Sequence, residues 1–325
     1  MTDGNKQKIL LITLSNIGDV VLTTPAVDAL RANFPGALLH VMTSPHAAGV
    51  FEKDKRIQRI ILYDKHIKFK EKLGLLLSLR QENYSMVVDL RNTLFPLLLQ
   101  AKVKTRPFHN APQCIISMQE RHLWKLKNLG IRTDGAQLSV MFDEQDKAYI
   151  SESLRTYGMT FGDTIICVSP GARSHIKRWP EEKFLELCEK LTDKIKTPIV
   201  LIGDKQDRAV TRKISLALKN KIFDLSGLTT ICQLACLLKN SVLLISNDSA
   251  PVHIAGSTNT PVVAIFGPTD PLKYGPASAF SAVVKKNLTC SPCEVAQCKF
   301  NHECMQQIGV DEVFEQVTSV LTRTQ

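Results

Sequence analysis

The chain has 325 residues, of which 44% are hydrophobic and 22% charged, as is typical of a globular protein with two domains. No segment offers ~18 uncharged apolar residues and the start from Met1 to Lys8 is polar, so we expect neither a membrane-spanning helix nor a signal peptide. The net charge of +10 lies entirely in residues 51–132, which hold 17 Lys and Arg against 7 Asp and Glu. This excess predicts an anionic partner (phosphorylated glycolipid, membrane surface or nucleic acid), unless the segment is only a solvated face.

In the first half of the chain, short β-rich runs alternate with helical patterns, which predicts a doubly wound parallel sheet. The predicted strands are Ile9–Ile12, Leu38–Met42, Ile57–Tyr63 and Met86–Leu90, and the predicted helices are Val20–Asn33, Ala47–Lys53 and Lys65–Gln81.

The same alternation restarts after Gly162 and predicts a second domain of similar size. Its predicted strands are Thr164–Ser169, Ile199–Ile202, Ile222–Leu225, Val242–Ile245 and Val262–Phe266, and its predicted helices are Glu181–Asp193, Asp207–Leu218, Thr230–Lys239 with Thr229 as N-cap, and Asp311–Leu321. Two such halves predict two Rossmann-like domains with a ligand cleft between them, at the C-terminal ends of the strands.

One polar turn is predicted to form an anion site. The segment Ser246–Gly256 follows the strand Val242–Ile245 and opens a helix, so backbone N–H groups and the helix dipole face the turn. Asp248 and Ser249 add a carboxylate and a hydroxyl, and His253 lies within one helical turn of them. Such a turn can hold a nucleotide diphosphate. The alternative is that Asp248 or Ser249 is only an N-cap and His253 a packed histidine.

Three segments, in the same order along the chain, resemble motifs of glycosyltransferase family 9, the heptosyltransferases of lipopolysaccharide synthesis. Ser15–Pro25 resembles S-x-x-G-D-x-x-x-x-x-P. Pro170-Gly171-Ala172, followed by Lys177–Pro180, resembles P-G-A…K-x-W-P, and Asp248–His253 resembles D-[ST]-G-x-x-H. Ala250 stands where the family usually has Gly, which could crowd the closest backbone approach to the phosphates.

The resemblance covers nearly the whole chain and implies the GT-B architecture, in which two Rossmann-like domains face each other across a cleft. Residues 1–155 would bind the acceptor and residues 160–308 the nucleotide-sugar donor. The C-terminal helix, residues 311–325, would cross back to pack on the first domain. The implied activity is inverting transfer of heptose from ADP-L-glycero-D-manno-heptose to the inner core of lipopolysaccharide, with the nucleotide sugar as substrate and no cofactor.

Inverting transfer needs a base for the acceptor hydroxyl and positive charge near the departing diphosphate. Asp19 follows Gly18 in the turn after the first strand. The sequence alone favours Asp19 as a cap of the helix beginning at Val20, whereas the resemblance implies the catalytic base. Lys177 lies in a loop after the strand that ends at Ser169. Without the resemblance it would be an exposed lysine, and with it Lys177 is the predicted phosphate ligand. No catalytic metal is predicted.

The predicted donor-binding residues lie in the second half of the chain. They are Gly171, Lys177, Asp207, Asp248, Ser249, Ala250 and His253. Gly171 permits a close approach of its backbone to the phosphates. Asp207 lies just after a strand, where an acidic residue commonly accepts hydrogen bonds from ribose hydroxyls. Asp204 competes for this role, and Asp207 is also placed to cap a helix.

The predicted acceptor-binding residues are basic. Lys102, Lys104 and Arg106 alternate, so an extended chain would point them to one face. Arg121, His122 and Lys125 would form a second cationic wall on one face of a helix. These residues suit a phosphorylated lipid A–Kdo type glycolipid. We therefore expect a monomeric cytoplasmic enzyme that binds peripherally to the anionic inner face of the bacterial inner membrane.

Four of the nine cysteines form a cluster near the C-terminus, Cys290, Cys293, Cys298 and Cys304. In a cytosolic chain such a cluster suggests a metal before disulfides, but only the first pair has regular zinc spacing. Members of the resembled family show a similar stretch that takes no part in glycosyl transfer. No metal is therefore assigned, and a metal at the four cysteines is the alternative.

Other functions are less consistent with the sequence. Aromatic residues make up only 6% of the chain and are not interleaved with basic ones, which argues against a nucleic-acid partner. No G-x-G-x-x-G follows the first strand, which argues against a dinucleotide oxidoreductase. The remaining alternatives are a family 9 enzyme that uses another nucleotide sugar and a non-catalytic nucleotide-binding protein.

Overall fold

The computed structural model describes residues 6–218 and 222–324. Most of the predicted polar start, Met1–Lys8, lies outside the described residues, and so does Gln325, the last residue of the predicted C-terminal helix. The chain divides into two compact units, the first ending at Met141 and the second beginning at Phe142. The sequence placed this boundary at residues 155–160. It falls earlier because the helix Glu144–Arg155, which begins with a capping box at Asp143, packs against the second unit.

The first unit is built on a five-stranded parallel sheet with the strand order β3-β2-β1-β4-β5. Its elements are β1 (Lys8–Ile12), α1 (Ile17–Val21), α2 (Thr24–Asn33), β2 (Leu38–Thr43), a 3₁₀ turn (Pro45–Val50), β3 (Arg59–Leu62), α3 (Phe69–Gln81), β4 (Met86–Asp89), α4 (Phe95–Leu98), β5 (Val103–Lys104) and α5 (Met118–Lys127). The central strand β1 is buried and pairs with β2 and β4, so that Leu10 lies opposite His40 and Val87. The connections leave β1 and β4 in opposite directions, which makes the space between these strand ends a switch point.

The region after β1 differs from its prediction. The single helix expected over Val20–Asn33 is two helices, because Thr23 donates its hydroxyl hydrogen bond to Val20 O at 2.6 Å and Pro25 begins a new helix without needing an N–H. The helix expected over Ala47–Lys53 is instead the shorter 3₁₀ turn that starts at a proline.

The second unit has a six-stranded parallel sheet with the strand order β11-β10-β9-β6-β7-β8. Its elements are α6 (Glu144–Arg155), β6 (Ile166–Ser169), a 3₁₀ turn (His175–Lys177), α7 (Glu181–Lys194), β7 (Ile199–Leu201), α8 (Arg208–Ala217), β8 (Ile222–Asp224), α9 (Ile231–Lys239), β9 (Leu243–Asn247), α10 (Ala250–Thr258), β10 (Val262–Ile265), α11 (Pro271–Tyr274), β11 (Ala282–Val284), α12 (Glu303–Gln306) and α13 (Val310–Thr324). The switch point lies between β6 and β9, where Ser169 is paired with Ser246. Both predicted doubly wound parallel sheets are therefore present.

Two details of the second unit correct the sequence prediction. The N-cap of α9 is Thr230, not Thr229, because the Thr230 hydroxyl accepts the Gln233 N–H at 3.2 Å and the Gln233 side chain accepts the Thr230 N–H at 2.9 Å. The last helix, α13, was predicted to pack on the first domain, but its apolar face is buried in the second unit. Val313 and Val317 are fully buried in the core of the second unit, in the same cluster as Trp179, and the helix packs on α7 and β10.

Within the two described ranges, no helix combines the length and the apolar character that a membrane span requires.

Candidate active site

Three of four neighbouring strands of the second unit end in loops that carry the predicted donor residues. The sheet order places β10, β9, β6 and β7 side by side, and all their C-terminal ends lie at one edge because the strands are parallel. The residues after these strands are Thr269 (β10), Asp248 and Ser249 (β9), Gly171 and Lys177 (β6), and Asp207 (β7). Open parallel sheets bind ligands at such an edge, at the switch point.

An ion pair links two of the predicted donor motifs. Lys177 Nζ donates to Asp248 Oδ2 at 2.6 Å, and the Thr269 hydroxyl donates to the same carboxylate oxygen. Asp248 is buried, whereas Lys177 keeps 28% of its side chain exposed. The ammonium group is therefore held at a defined point on the strand-end edge, and its other hydrogens can be donated to an anion.

The buried side chain of Asn247, at the end of β9, joins the same loops. Its Nδ2 donates to Pro170 O at 2.8 Å and to Gly171 O at 3.4 Å, and its Oδ1 accepts the backbone N–H of Trp179 at 3.0 Å. Trp179 is itself buried, and its indole N–H donates to Ile308 O at 3.1 Å. Asn247 thus fixes both ends of the loop in which Lys177 lies.

The helix α10 begins directly after Asp248. Ser249 occupies its N-cap position but makes no side-chain capping bond to the helix, and its hydroxyl lies 3.2 Å from that of Ser246. Ala250 is the first helical residue, and Pro251 follows in the first turn. His253 is buried one turn into the helix. The capping alternative therefore holds for the position of Ser249 but not for its hydroxyl, nor for the Asp248 carboxylate.

Asp207 lies against the glycine of the β6 loop. A Cβ atom on Gly171 would come within 2.0 Å of Asp207 Oδ1, so only glycine fits there with this arrangement. Asp207 is the N-cap residue of α8, yet its carboxylate accepts the Asp204 N–H at 2.9 Å instead of capping the helix. Burial raises the pKa of Asp207. The competing Asp204 is exposed, and its carboxylate accepts the Gln206 N–H at 2.7 Å within its own turn.

In the first unit, Asp19 lies at the C-terminal end of β1, beside the switch point. It is half-buried in the first turn of α1, and its Oδ2 accepts a hydrogen bond from Asn16 Nδ2 at 2.9 Å. The N-cap residue is Asn16, so the prediction that Asp19 caps a helix beginning at Val20 is wrong. Burial lowers the pKa of His122 to about 4. The hydrogen bond with Leu22 O and the negative charge of Asp19 both raise this pKa, but by less than burial lowers it.

The first unit also contains a basic pocket of about 470 Å³. Its lining residues are Lys102, Val103, Lys104, Thr105, Arg106, His109, Lys125, Asn128 and Leu129. Four of the predicted acceptor residues, Lys102, Lys104, Arg106 and Lys125, therefore lie around one space. Arg121, which donates to Ala111 O at 3.5 Å, and His122 are not among its lining residues. His122 is buried and its pKa is lowered to about 4, so the prediction that it supplies positive charge there is wrong.

Lys125 is the buried cation of this basic pocket. Its Nζ donates to Asn92 Oδ1 at 2.5 Å and to Asp89 O at 3.2 Å. Burial lowers the pKa of Lys125, and the nearby Asp89 carboxylate opposes that shift. Asp89 and Asn92 lie at the end of β4, so Lys125 connects the pocket with the strand next to β1.

Comparison with known proteins identifies the family. The family model of glycosyltransferase family 9 (heptosyltransferase) matches residues 119–303, which is more than half of the chain. The chain belongs to glycosyltransferase family 9. It is 27% identical over 287 residues to lipopolysaccharide heptosyltransferase 3 of Escherichia coli K12, covering 80% of this chain and 82% of that protein.

Solved structures agree with the fold of this glycosyltransferase. A family 9 glycosyltransferase from Veillonella parvula has a TM-score of 0.84 at 22% identity, covering 99% of both chains. The E. coli ADP-heptose LPS heptosyltransferase II has a TM-score of 0.78 at 23% identity, covering 98% of this chain and 99% of that one. The predicted GT-B fold is thereby confirmed, and membership of glycosyltransferase family 9 confirms the predicted glycosyltransferase activity.

The cysteine cluster of the glycosyltransferase lies around a separate pocket of about 260 Å³. Cys290, Cys293, Cys298 and Cys304 all contribute to its wall. Across residues 6–218 and 222–324, no three His, Cys, Asp or Glu side chains are arranged so that they could hold a metal ion.

Several residues at the two predicted sites were not predicted. Asn247 and Thr269 hold the donor loops of the second unit, and in the first unit the backbone carbonyl of Asp89 and the side chain of Asn92 hold Lys125. Their common signal in the sequence is a polar side chain at, or just after, the end of a buried strand, which is the position that faces the ligand edge of a parallel sheet.

Proposed function

We propose that this glycosyltransferase transfers heptose, with inversion, from ADP-L-glycero-D-manno-heptose to the inner core of lipopolysaccharide, working as a peripheral protein at the cytoplasmic face of the inner membrane. The observation that carries the proposal is the Lys177–Asp248 ion pair, at 2.6 Å, on the switch-point edge of the second unit. A cation held there, beside a helix N-terminus, suits a diphosphate leaving group.

The donor role of the second unit follows from its charges and its backbone. As the glycosidic bond breaks, negative charge grows on the diphosphate, so a fixed ammonium at Lys177 stabilises the transition state more than the bound donor. The start of α10 offers the backbone N–H groups of Ser249 and Ala250, whose side chains are small, to phosphate oxygens, whereas Pro251 has no N–H to donate. Asp207, beside Gly171, is the proposed acceptor of the ribose hydroxyl hydrogen bonds.

The base is assigned to Asp19. Its carboxylate is half-buried, and Asn16 orients it through a hydrogen bond to Oδ2. One proton passes from the attacking acceptor hydroxyl to Asp19 as the new glycosidic bond forms and ADP leaves with the electron pair of the old one. The nearby His122 is neutral near pH 7 because of its lowered pKa, so it does not compete as a cation for the Asp19 carboxylate.

The acceptor role is assigned to the basic pocket. Lys102, Lys104 and Arg106 line it together with the buried Lys125, and such a set of cations fits the phosphates and carboxylates of a lipid A–Kdo type glycolipid. Two relatives support this choice, the lipopolysaccharide heptosyltransferase 3 of E. coli K12 and the E. coli ADP-heptose LPS heptosyltransferase II.

A donor panel tests the proposal. The purified protein is given a core-truncated glycolipid and, separately, ADP-heptose, UDP-glucose, UDP-galactose and UDP-N-acetylglucosamine, with release of free nucleotide and mass gain of the glycolipid as readouts. We expect ADP release and a mass gain of one heptose with ADP-heptose. Transfer from a UDP-hexose without transfer from ADP-heptose would overturn the donor, and nucleotide binding with no transfer from any donor would overturn the enzymatic role.

A further inference from the structure

The helix α3 of the first unit has apolar side chains on both of its faces. Leu79 is buried and Leu75 and Leu76 are partly buried in the core cluster that includes β1 and β4. On the other side, Phe69, Leu73 and Leu77 are 81%, 46% and 49% exposed. These three residues recur every four positions, so they form one continuous stripe along the outward face of the helix.

The short helix α4 adds further exposed apolar side chains near the C-terminal end of α3. Arg80 at that end donates from Nε to Leu98 O at 2.9 Å, so the last residue of α4 lies close to it. Leu94, at the N-cap of α4, and Leu97 and Leu98 within it are all exposed, whereas Phe95 packs inward against the α3 core cluster. We name the six exposed residues Phe69, Leu73, Leu77, Leu94, Leu97 and Leu98 the α3–α4 apolar patch. Six large exposed apolar side chains on two neighbouring helices mark an interaction surface, because exposed apolar side chains are otherwise scattered singly over a protein surface.

Positive charge accompanies the patch. Residues 65–80 contain five basic side chains, Lys65, Lys68, Lys70, Lys72 and Arg80, against the single acidic Glu71. Lys70 lies on the outward side of α3, three residues before Leu73 and seven before Leu77. An amphipathic helix with lysines beside phenylalanine and leucine is suited to an anionic lipid surface, in which the apolar side chains enter the acyl region and the lysines stay at the headgroups.

We propose that the α3–α4 apolar patch is a membrane-docking surface that inserts into anionic phospholipid. The inference rests on the proposed function in one respect, because a lipid-borne acceptor requires the enzyme to reach a bilayer. Charge complementarity selects the occupant: an apolar protein partner would not explain the excess of lysine around the patch. The patch is distinct from the basic pocket, whose lining includes none of the six residues.

Vesicle co-sedimentation tests the proposal, with vesicles of equal parts phosphatidylethanolamine and phosphatidylglycerol and others of phosphatidylcholine alone. The test variant is Phe69→Ser/Leu73→Ser/Leu77→Ser. The matched control is Leu216→Ser/Leu272→Ser/Phe280→Ser, because these two leucines and one phenylalanine of the second unit are exposed to a comparable extent, at 59%, 67% and 57%. We expect the parent and the control to bind anionic vesicles and to bind phosphatidylcholine much less. The test variant should lose ~10-fold or more of its partition coefficient, since three inserted apolar groups are removed.

Binding by the test variant equal to that of the parent would overturn the proposal, as would an equal loss in the control. Light scattering without vesicles detects the competing occupant: a dimer that the test variant abolishes would assign the patch to a second copy of the chain. Transfer to a detergent-dispersed acceptor separates the two proposals, because it needs no docking. The test variant should keep parental activity there, whereas failure of the parent itself in that assay would count against the proposed function only.

Discussion

The Oδ1 atom of Asn247 accepts the backbone N–H of Trp179 at 3.0 Å, and this bond ties the end of β9 to the loop that carries Lys177. The two residues are far apart in the sequence and neither has a charge. The bond nevertheless decides where the ammonium group lies, because the same Asn247 side chain also holds Pro170 O at the start of that loop.

Replacing Asn247 tests this clamp. Asn247→Ala leaves a buried N–H and a buried carbonyl without their partner, and we expect the free energy of unfolding to fall by about 1–3 kcal/mol. The KM for the donor should rise while the KM for the acceptor changes little, because only the donor loops are released. Chemical denaturation and initial-rate kinetics measure both effects. Asn301→Ala, at an exposed position, is the control; an unchanged donor KM in a destabilised Asn247 variant would make the clamp purely structural.

The contact between Gly171 and Asp207 gives a second prediction. Gly171→Ala should lower stability and weaken ADP binding, since its Cβ would overlap Asp207 Oδ1 at 2.0 Å. Adding Asp207→Ala removes the overlapping atoms, so the double variant should regain stability without regaining ADP affinity. Gly74→Ala, in the middle of α3 with no neighbour within 4 Å of the new Cβ, is the control and should raise stability by about 0.5–1 kcal/mol. A single Gly171→Ala variant as stable as the parent would contradict the close contact between Gly171 and Asp207.

Part of the donor site could be predicted from the sequence and part could not. Lys177 and Asp248 could be predicted to share a site because each follows a strand, and strands are recognisable from local apolar runs. The role of Asn247 could not, because it depends on hydrogen bonds to two loops whose paths are set only after folding. An asparagine at a strand end has many possible partners until the neighbouring strands are in register.

The wrong predictions for Asp19 and for α13 have the same physical origin, since both depend on packing that is set only after folding. Asn16 and Asp19 are both suitable caps within one turn, and the true helix start depends on the chain leaving β1. The valines of α13 indicate an apolar face, but their spacing does not say which core that face enters. The exposed side of α3 could not be separated from its buried side, because leucines occupy both.

A pH-dependent contribution to stability is predicted at His122. Its pKa is lowered from 6.5 to about 4 in the folded protein, so the unfolded chain takes up a proton first as the pH falls. The free energy of unfolding is therefore not reduced by His122 above pH 6.5, where the side chain is neutral in both states. It falls by about 3 kcal/mol as the pH drops from 6.5 to about 4. Urea unfolding across this range should show a shallower pH dependence in His122→Gln than in the parent. Parallel curves for the two proteins would rule out this assignment.

The basic pocket should govern acceptor affinity. Changing Lys102, Lys104 and Arg106 to glutamine should raise the acceptor KM and leave the donor KM unchanged. The effect should shrink at high salt, because exposed charges are screened beyond ~8–10 Å at physiological ionic strength and over shorter distances as salt is added. Initial rates with a phosphorylated and a dephosphorylated acceptor, at two salt concentrations, measure it.

The control for that experiment removes the same number of exposed charges from the second unit, in the variant Arg212→Gln/Lys239→Gln/Arg323→Gln. It should behave like the parent. Equal changes in the two triple variants would mean that net charge matters and the pocket does not.

The role of Asp19 as the base is tested most directly by comparing ADP release by the parent and by Asp19→Asn, with ADP-heptose and a core-truncated glycolipid as substrates. The affinity of both proteins for ADP is measured alongside by calorimetry. Loss of a general base should cut turnover by ~10²–10⁴-fold. ADP affinity and the unfolding transition should stay at parental values, because Asp19 lies in the first unit and its Oδ2 accepts a hydrogen bond from Asn16, which an asparagine side-chain oxygen can also accept. Parental turnover per folded molecule in Asp19→Asn would contradict the assignment of Asp19 as the base and, with it, the proposed mechanism.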